Sequence, residues 1–366
     1  MKKNKFLIYL LCAIIFILIG AGGMYYLVTE KKLFSQTVVN KLEREVTINE
    51  NGIADAVEKL YDAVVVVGSY KNGVLNSTGT GFVYKVDKSD AYILTNNHVV
   101  SAADKVKVKF TDNNVYDVEV VATDKYSDIA VLKTDKGKII SVAEIGSSEK
   151  ARLGDTVFTI GAPLDSESYS WTVTRGILSG KDRLVEINAS NSTVADWVMK
   201  VIQTDAAINS GNSGGPIANS NGQVIGITNM KLVNDGVEGM GFAIPIEDAV
   251  KYADALIKDK KIERPMLGVG TINVDDINLM RQYGFSLDKS ITEGAVVAQV
   301  QIGSPADNAK LVKGDVIIKL GDDKITNSSY LKYYLYKYNI GDSISVTYIR
   351  GTKEQTTTIK LTEKAD

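Results

Sequence analysis

Between residues 63 and 134 the chain is a succession of short β-rich runs: AVVVVGSY (63–70), GTGFVYKV (79–86), AYILTN (91–96), KVKVKF (105–110), YDVEVVAT (116–123) and DIAVLKT (128–134). Turn residues part them at short intervals, the pattern of an all-β barrel or sandwich. More runs follow at DTVFTIG (155–161), WTVTRGILSG (171–180), VMKVIQTD (198–205) and GQVIGITNM (222–230).

Near Ile246 the period changes. IEDAVKYADALIKDKK sets Ile246, Val250, Ala253 and Ile257 on one helical stripe. The lysine-rich KDKKIERP (258–265) reads as a linker ending at a proline, and the remaining residues, 266–366, suffice for a second domain. Within it, KGDVIIKLGDDKI (313–325) predicts two short strands around a Gly-Asp turn. SSYLKYYLYKYNIGD (328–342) predicts an amphipathic helix ended near Gly341, because Leu331, Tyr334, Leu335 and Tyr338 fall at i, i+3, i+4 and i+7. Its tyrosines read as a packed face rather than a cofactor box.

Ahead of the β-rich region, Phe6 to Val28 runs 23 residues without a charge, enough to span a bilayer of about 30 Å. GAGG at Gly20–Gly23 offers a signal-peptide cleavage site, but the apolar run continues past it, which favours an uncleaved anchor. Lys2, Lys3 and Lys5 precede the run and place residues 1–5 in the cytoplasm, with the body of the protein outside. Residues 29–52 then read as a polar stalk. The formal net charge is −2, without a basic patch or stripe, which argues against nucleic acid as a partner. The single cysteine, Cys12, lies in the anchor, so the exported part has no disulfide. With one histidine there and no cysteine, a zinc site of ordinary ligands has nothing to build on.

INSGNSGGPI (208–217) sets Ser213 among glycines and ahead of a proline. A serine hydroxyl is a weak nucleophile until a positioned base takes its proton, and the one histidine, His98 in TNNHVV, is the available base. Of the two carboxylates in TDKYSD, Asp128 directly precedes an apolar strand and is expected to be buried; Asp124 flanks Lys125 and reads as a solvated loop charge. A buried carboxylate orients an imidazole better, so Asp128 is preferred. The glycines at 211 and 214 let the amides of Gly211 and Ser213 point into one small cavity, an oxyanion hole. The order His98, Asp128, Ser213 is that of the chymotrypsin type, with the site in the cleft of a double β-barrel.

These segments resemble the HtrA (Deg) family of serine proteases. TNNHVV, SDIAVLK and QTDAAINSGNSGGPI (203–217) look like its three catalytic blocks, with further matches at GTGF (79–82), IGAPL (160–164), TVTRGILS (172–179) and GFAIP (241–245). The final hundred residues resemble its PDZ domain, with MLGVG (266–270) as the carboxylate loop and GSPADNAKLVKGDVI (303–317) as the signature block. The resemblance implies a protease domain over 53–257 and an α+β PDZ domain over 266–366, preceded by the anchor at 6–28. It implies that Asn229, Met230 and Lys231 pair with the substrate backbone, and that Ala207 and Ile208 floor an apolar primary pocket. C-terminal peptides would bind near Leu267, Gly268 and Val269. Arg183 matches a position linked to switching between resting and active loops, or is a solvated surface charge. A homotrimer is implied, and no cofactor or metal. The chain departs from the family pattern in its short loop KNGVLNST (71–78), in LDSESYSW (164–171) and in the RPMLGV form of the carboxylate loop.

The expected activity is a membrane-tethered, extracytoplasmic serine endopeptidase that cleaves unfolded proteins. The competing class is a tethered chaperone or peptide-sensing scaffold with a resting protease site, and a complete triad favours the enzyme.

Overall fold

The computed structural model describes residues 2–29, 51–162, 171–187, 195–229 and 239–365. Helix α1 (Lys2–Thr29) contains the uncharged run, long and apolar enough over Lys5–Leu27 to cross a membrane. The residues from Asn49 onward form a separate compact unit. The expected stalk lies almost wholly outside the described residues. A helix not expected from the sequence, α2 (Asn51–Tyr61), opens the β-rich region and buries Ala56 and Leu60.

Two closed six-stranded barrels follow. The first consists of β1 (Val64–Lys71), β2 (Val74–Asp87), β3 (Asp90–Asn96), β4 (Lys105–Lys109), β5 (Val115–Asp124) and β6 (Ile129–Asp135), in the order β1-β2-β3-β6-β5-β4. A single helical turn, α3 (Asn97–Val100), leaves the end of β3. The second barrel consists of β7 (Thr156–Gly161), β8 (Thr172–Ile187), β9 (Trp197–Thr204), β10 (Pro216–Asn219), β11 (Val224–Thr228) and β12 (Gly241–Pro245), in the order β10-β11-β12-β9-β8-β7.

The apolar runs are continuous because successive side chains on a strand face opposite sides, and here both sides are buried. In β6, Ala130 and Leu132 fill the first barrel, whereas Ile129 and Val131 face a second apolar cluster outside it. In β7, Val157 fills the second barrel while Phe158 and Ile160 join that same outer cluster. The cluster also takes up α2 and the stripe of α4 (Ile246–Asp259), so it forms an apolar floor between the barrels.

Beyond α4 lies a sheet of β13 (Val269–Asn273), β14 (Ala295–Val300), β15 (Val316–Leu320), β16 (Asp323–Lys324), β17 (Ser343–Arg350) and β18 (Lys353–Lys360), with β13 at one edge. It carries three short helices, α5 (Ile277–Gln282), α6 (Pro305–Asn308) and α7 (Ser328–Leu335). The expected Gly-Asp turn is present between β15 and β16. Helix α7 stops at Leu335 rather than near Gly341, because the next amides bond three residues back: Lys337 N to Tyr334 O and Tyr338 N to Leu335 O. Leu331 and Leu335 are buried in the core of this sheet, and Tyr334 and Tyr338 pack against it.

The segment 258–265 is not a free linker throughout. Arg264 is buried, and residues 264–266 pair with the chain end through Met266 N to Glu363 O (3.1 Å) and Ala365 N to Arg264 O (2.8 Å).

Candidate active site

Strands β3 and β6 pair with Asn96 opposite Ile129, which sets the α3 turn beside Asp128. Asp128 adopts a φ of +53°, uncommon for a residue with a side chain. Its carbonyl accepts from Asn97 N and from Asn96 Nδ2, each at 3.0 Å, and these bonds hold the turn. Its carboxylate is then fully used. Oδ1 accepts from His98 N at 2.9 Å; Oδ2 lies 2.6 Å from His98 Nδ1 and 2.8 Å from Asn229 Nδ2. The Asp128 side chain is 5% exposed and that of His98 27%, so the imidazole reaches solvent while its orienting charge does not. A neutral imidazole bonded this way carries its proton on Nδ1 and leaves Nε2 as the basic atom.

The loop bearing Ser213 is seated against the first barrel. Thr80 N donates to Ser213 O at 2.9 Å, and Gly214 N to Thr228 O at 2.9 Å. Gly211 and Gly214 have φ of +100° and +84°. A Cβ at Gly214 would fall on Thr80 O and Thr95 Oγ1, so only glycine fits there. A Cβ at Gly79 would lie 2.8 Å from the Val99 side chain and 3.1 Å from Ser213 O. The turn carrying His98 and the loop carrying Ser213 therefore both lie against Gly79 of β2. Among the described residues the Gly211 amide donates to no acceptor.

Ile208 is buried, and Ala207 is exposed with its carbonyl accepting from Thr174 Oγ1 at 2.8 Å. Asn229 is buried; its N–H donates to Phe242 O at 3.0 Å, and its side chain serves Asp128, a part the sequence did not indicate. Met230 and Lys231 lie outside the described residues. Arg183 is exposed on β8, opposite Val201 of β9.

Asp124 is a correction. Instead of a solvated loop charge it is buried, accepting from Ser127 N and Oγ, each at 2.7 Å, and from Arg264 Nη1 and Nη2 at 2.6 and 2.7 Å. The Arg264 guanidinium also lies over the rings of Tyr126 and Tyr336, 5.1 and 5.2 Å from their centroids. Burial alone would lower the Arg264 pKa, but its bonds to the Asp124 carboxylate outweigh that and hold it above the ordinary value. Burial pushes the Tyr336 phenol up, and Tyr126 adds to the shift. Further polar bonds join the second barrel to α7: Asn327 Nδ2 to Glu186 Oε1 (2.6 Å) and Lys332 Nζ to Asp196 O (3.0 Å).

In the C-terminal sheet, Val269 and Thr271 of β13, Leu331 and Leu335 of α7 and residues 265–268 line a groove. Leu267 is buried. Gly268 has a φ of +78°, and a Cβ there would fall on the Ser304 side chain.

Residues 79–227 match the family model of the trypsin-like peptidase domain, and residues 265–361 that of the PDZ domain. The serine protease Do-like HtrB of Bacillus subtilis (strain 168) is 36% identical over 339 residues, covering 87% of this chain and 72% of the relative. The serine protease Do-like HtrA of Lactococcus lactis subsp. cremoris (strain MG1363) is 37% identical over 358 residues, covering 90% and 87%. The crystal structure of the serine endoprotease from Yersinia pestis is similar at a TM-score of 0.64 and 29% identity, over 86% of this chain and 98% of that one. The HtrA-type protease AlgW with tripeptide gives 0.63 and 29%, over 84% and 96%.

Proposed function

The chain belongs to the HtrA family of serine proteases, with a trypsin-like peptidase domain followed by a PDZ domain, and on that premise we propose that it is an extracytoplasmic endopeptidase of protein quality control. His98 takes the Ser213 proton and Oγ attacks the peptide carbonyl. The amides of Gly211 and Ser213 receive the oxyanion, His98 returns its proton to the leaving amine, and water clears the acyl-enzyme. Asp128 stays ionised and stabilises the imidazolium. The observation that carries this reading is the Asp128 carboxylate, buried and bonded to both the His98 backbone N–H and Nδ1.

The protease domain is assigned to 53–257 and the PDZ domain to 266–366. Residues 6–28 anchor the chain with the remainder outside, which α1 supports by its length and lack of charge. Ala207 and Ile208 border an apolar primary pocket, and Asn229, Met230 and Lys231 flank the bound strand. Peptides with apolar C-termini lie along the edge strand β13 with their carboxylate at Leu267, Gly268 and Val269, and bias the protease loops toward the active form. Arg183 takes part in that switch, and the working assembly is a homotrimer.

The test is casein degradation by the full chain in detergent beside Ser213→Ala and His98→Ala, with and without a peptide ending in apolar residues. Cleavage that disappears in both variants supports the mechanism. Equal turnover in all three proteins refutes it. No cleavage in any protein, with aggregation of unfolded substrate still suppressed, favours a chaperone.

A further inference from the structure

Thr80 of β2 grips the loop carrying Ser213 from the first barrel. Thr80 is 1% exposed, and each of its polar groups is engaged. Its N–H donates to Ser213 O at 2.9 Å and its carbonyl accepts from Thr95 Oγ1 at 2.7 Å. Its hydroxyl lies 2.7 Å from Gly211 O and 3.1 Å from Ala162 N.

The direction of the hydroxyl bond follows from proton counting. A hydroxyl has one hydrogen and two lone pairs. The Ala162 N–H can only donate, so it occupies a lone pair, and the single hydrogen is left to point at Gly211 O. Thr80 thus holds the carbonyls of Gly211 and Ser213, the two residues whose amides are the proposed oxyanion donors. With its carbonyl pinned, the Gly211 amide can turn only through the φ and ψ of Gly211 itself, and any collapse of the loop as a whole must break the Thr80 bonds. Oxyanion stabilisation depends on donors fixed before the charge develops.

We propose that Thr80 is a positioning residue that presets the oxyanion pocket through its hydroxyl bond to Gly211. The proposal rests on the reading of Gly211 and Ser213 as oxyanion donors. Thr80 itself does not touch the substrate.

Two substitutions separate its hydroxyl from its bulk. Thr80→Val keeps the shape and removes the hydroxyl; Thr80→Ser keeps the hydroxyl and removes a methyl. Full-length proteins in detergent would be compared by kcat and KM on fluorescent casein and by the rate of fluorophosphonate labelling at Ser213. Thr80→Val is expected to lower kcat and the labelling rate together, by about 10- to 100-fold, with KM within about twofold of wild type. Thr80→Ser should keep at least about half of both rates. If Thr80→Val does not fold, Thr80→Ala against Thr80→Ser makes the same comparison. A hydroxyl-free variant as fast as wild type, a loss expressed in KM alone, or a serine variant as slow as the hydroxyl-free one would each overturn the proposal. Wild-type turnover in Ser213→Ala would overturn the serine reading and the Thr80 proposal together. Serine-dependent turnover with a fast Thr80→Val overturns only the latter.

Discussion

The side-chain amide of Asn229 donates to Asp128 Oδ2 at 2.8 Å, on the oxygen that also faces His98 Nδ1, although the two residues come from different barrels. The bond ties the end of β11 to the turn after β5. It leaves the carboxylate with little freedom to rotate away from the imidazole. Asn229→Ala is expected to lower kcat on casein by about 10- to 100-fold, the usual effect of removing a partner that orients a functional ligand. Unfolding free energy should fall by about 1–3 kcal/mol through the buried oxygen left with one partner fewer. Steady-state kinetics and denaturant unfolding check both, and wild-type kcat in the variant would remove Asn229 from the positioning of Asp128.

Arg264 and Asp124 form the second tie, joining the segment before β13 to the loop that ends in Asp128. Removing one partner of a buried pair strands the other charge in a low-dielectric site. Arg264→Met is therefore expected to cost about 3–5 kcal/mol of unfolding free energy, and the double variant with Asp124→Leu to recover most of that loss. A double-mutant cycle on chemical denaturation measures it. A single-variant loss below about 1 kcal/mol is what an exposed pair would give, and would mean that the pair is solvated.

What could be read ahead of the structure depended on whether local sequence carried the information. His98 had no rival as a base, and Ser213 was marked by glycines whose backbone freedom the loop needs. Asp128 was preferred over Asp124 on its apolar neighbours, and its carboxylate lies 2.6 Å from His98 Nδ1. Asp124 was misread because its partner lies 140 positions away, where no local pattern announces it. The parts of Thr80 and Asn229 were hidden for the same reason: each acts across the barrel boundary. Strands β10 and β12, of four and five residues, were too short to show a period of their own. The end of α7 was overestimated because the tyrosine stripe continues through a turn that still packs on the core.

Glu247, in the first turn of α4, gives a pH dependence with a definite sign. Its carboxylate accepts from the hydroxyls of Ser147 (2.7 Å) and Ser148. Burial alone would raise its pKa, but the two hydroxyl bonds outweigh that and hold it below the ordinary 4.5. The folded state then binds fewer protons than the unfolded one in this window. The stabilisation is complete above the unfolded value and lost as pH falls through the folded one. The unfolding free-energy difference between wild type and Glu247→Gln should therefore grow as pH rises from about 3 to about 5 and then level off. A difference that stays constant across that range would show that the charge is not responsible.

Gly268 offers a separate test of the groove between β13 and α7. Its φ of +78° is unfavourable for an L side chain, and an added Cβ would meet the Ser304 side chain, so Gly268→Ala must displace 267–269. The left-handed conformation alone costs roughly 1–2 kcal/mol, and the collision adds to it. If this segment holds the peptide carboxylate, the displacement should weaken binding of an apolar-ended peptide by at least about tenfold, the equivalent of 1.4 kcal/mol. Casein turnover without added peptide should stay near wild type, because Leu267 packs in the core of the C-terminal sheet and Val269 against it. Fluorescence anisotropy of a labelled peptide measures the first quantity and casein assays the second. Unchanged peptide affinity would move the carboxylate site away from 267–269, whereas loss of basal turnover would mean that this segment supports the protease even without ligand.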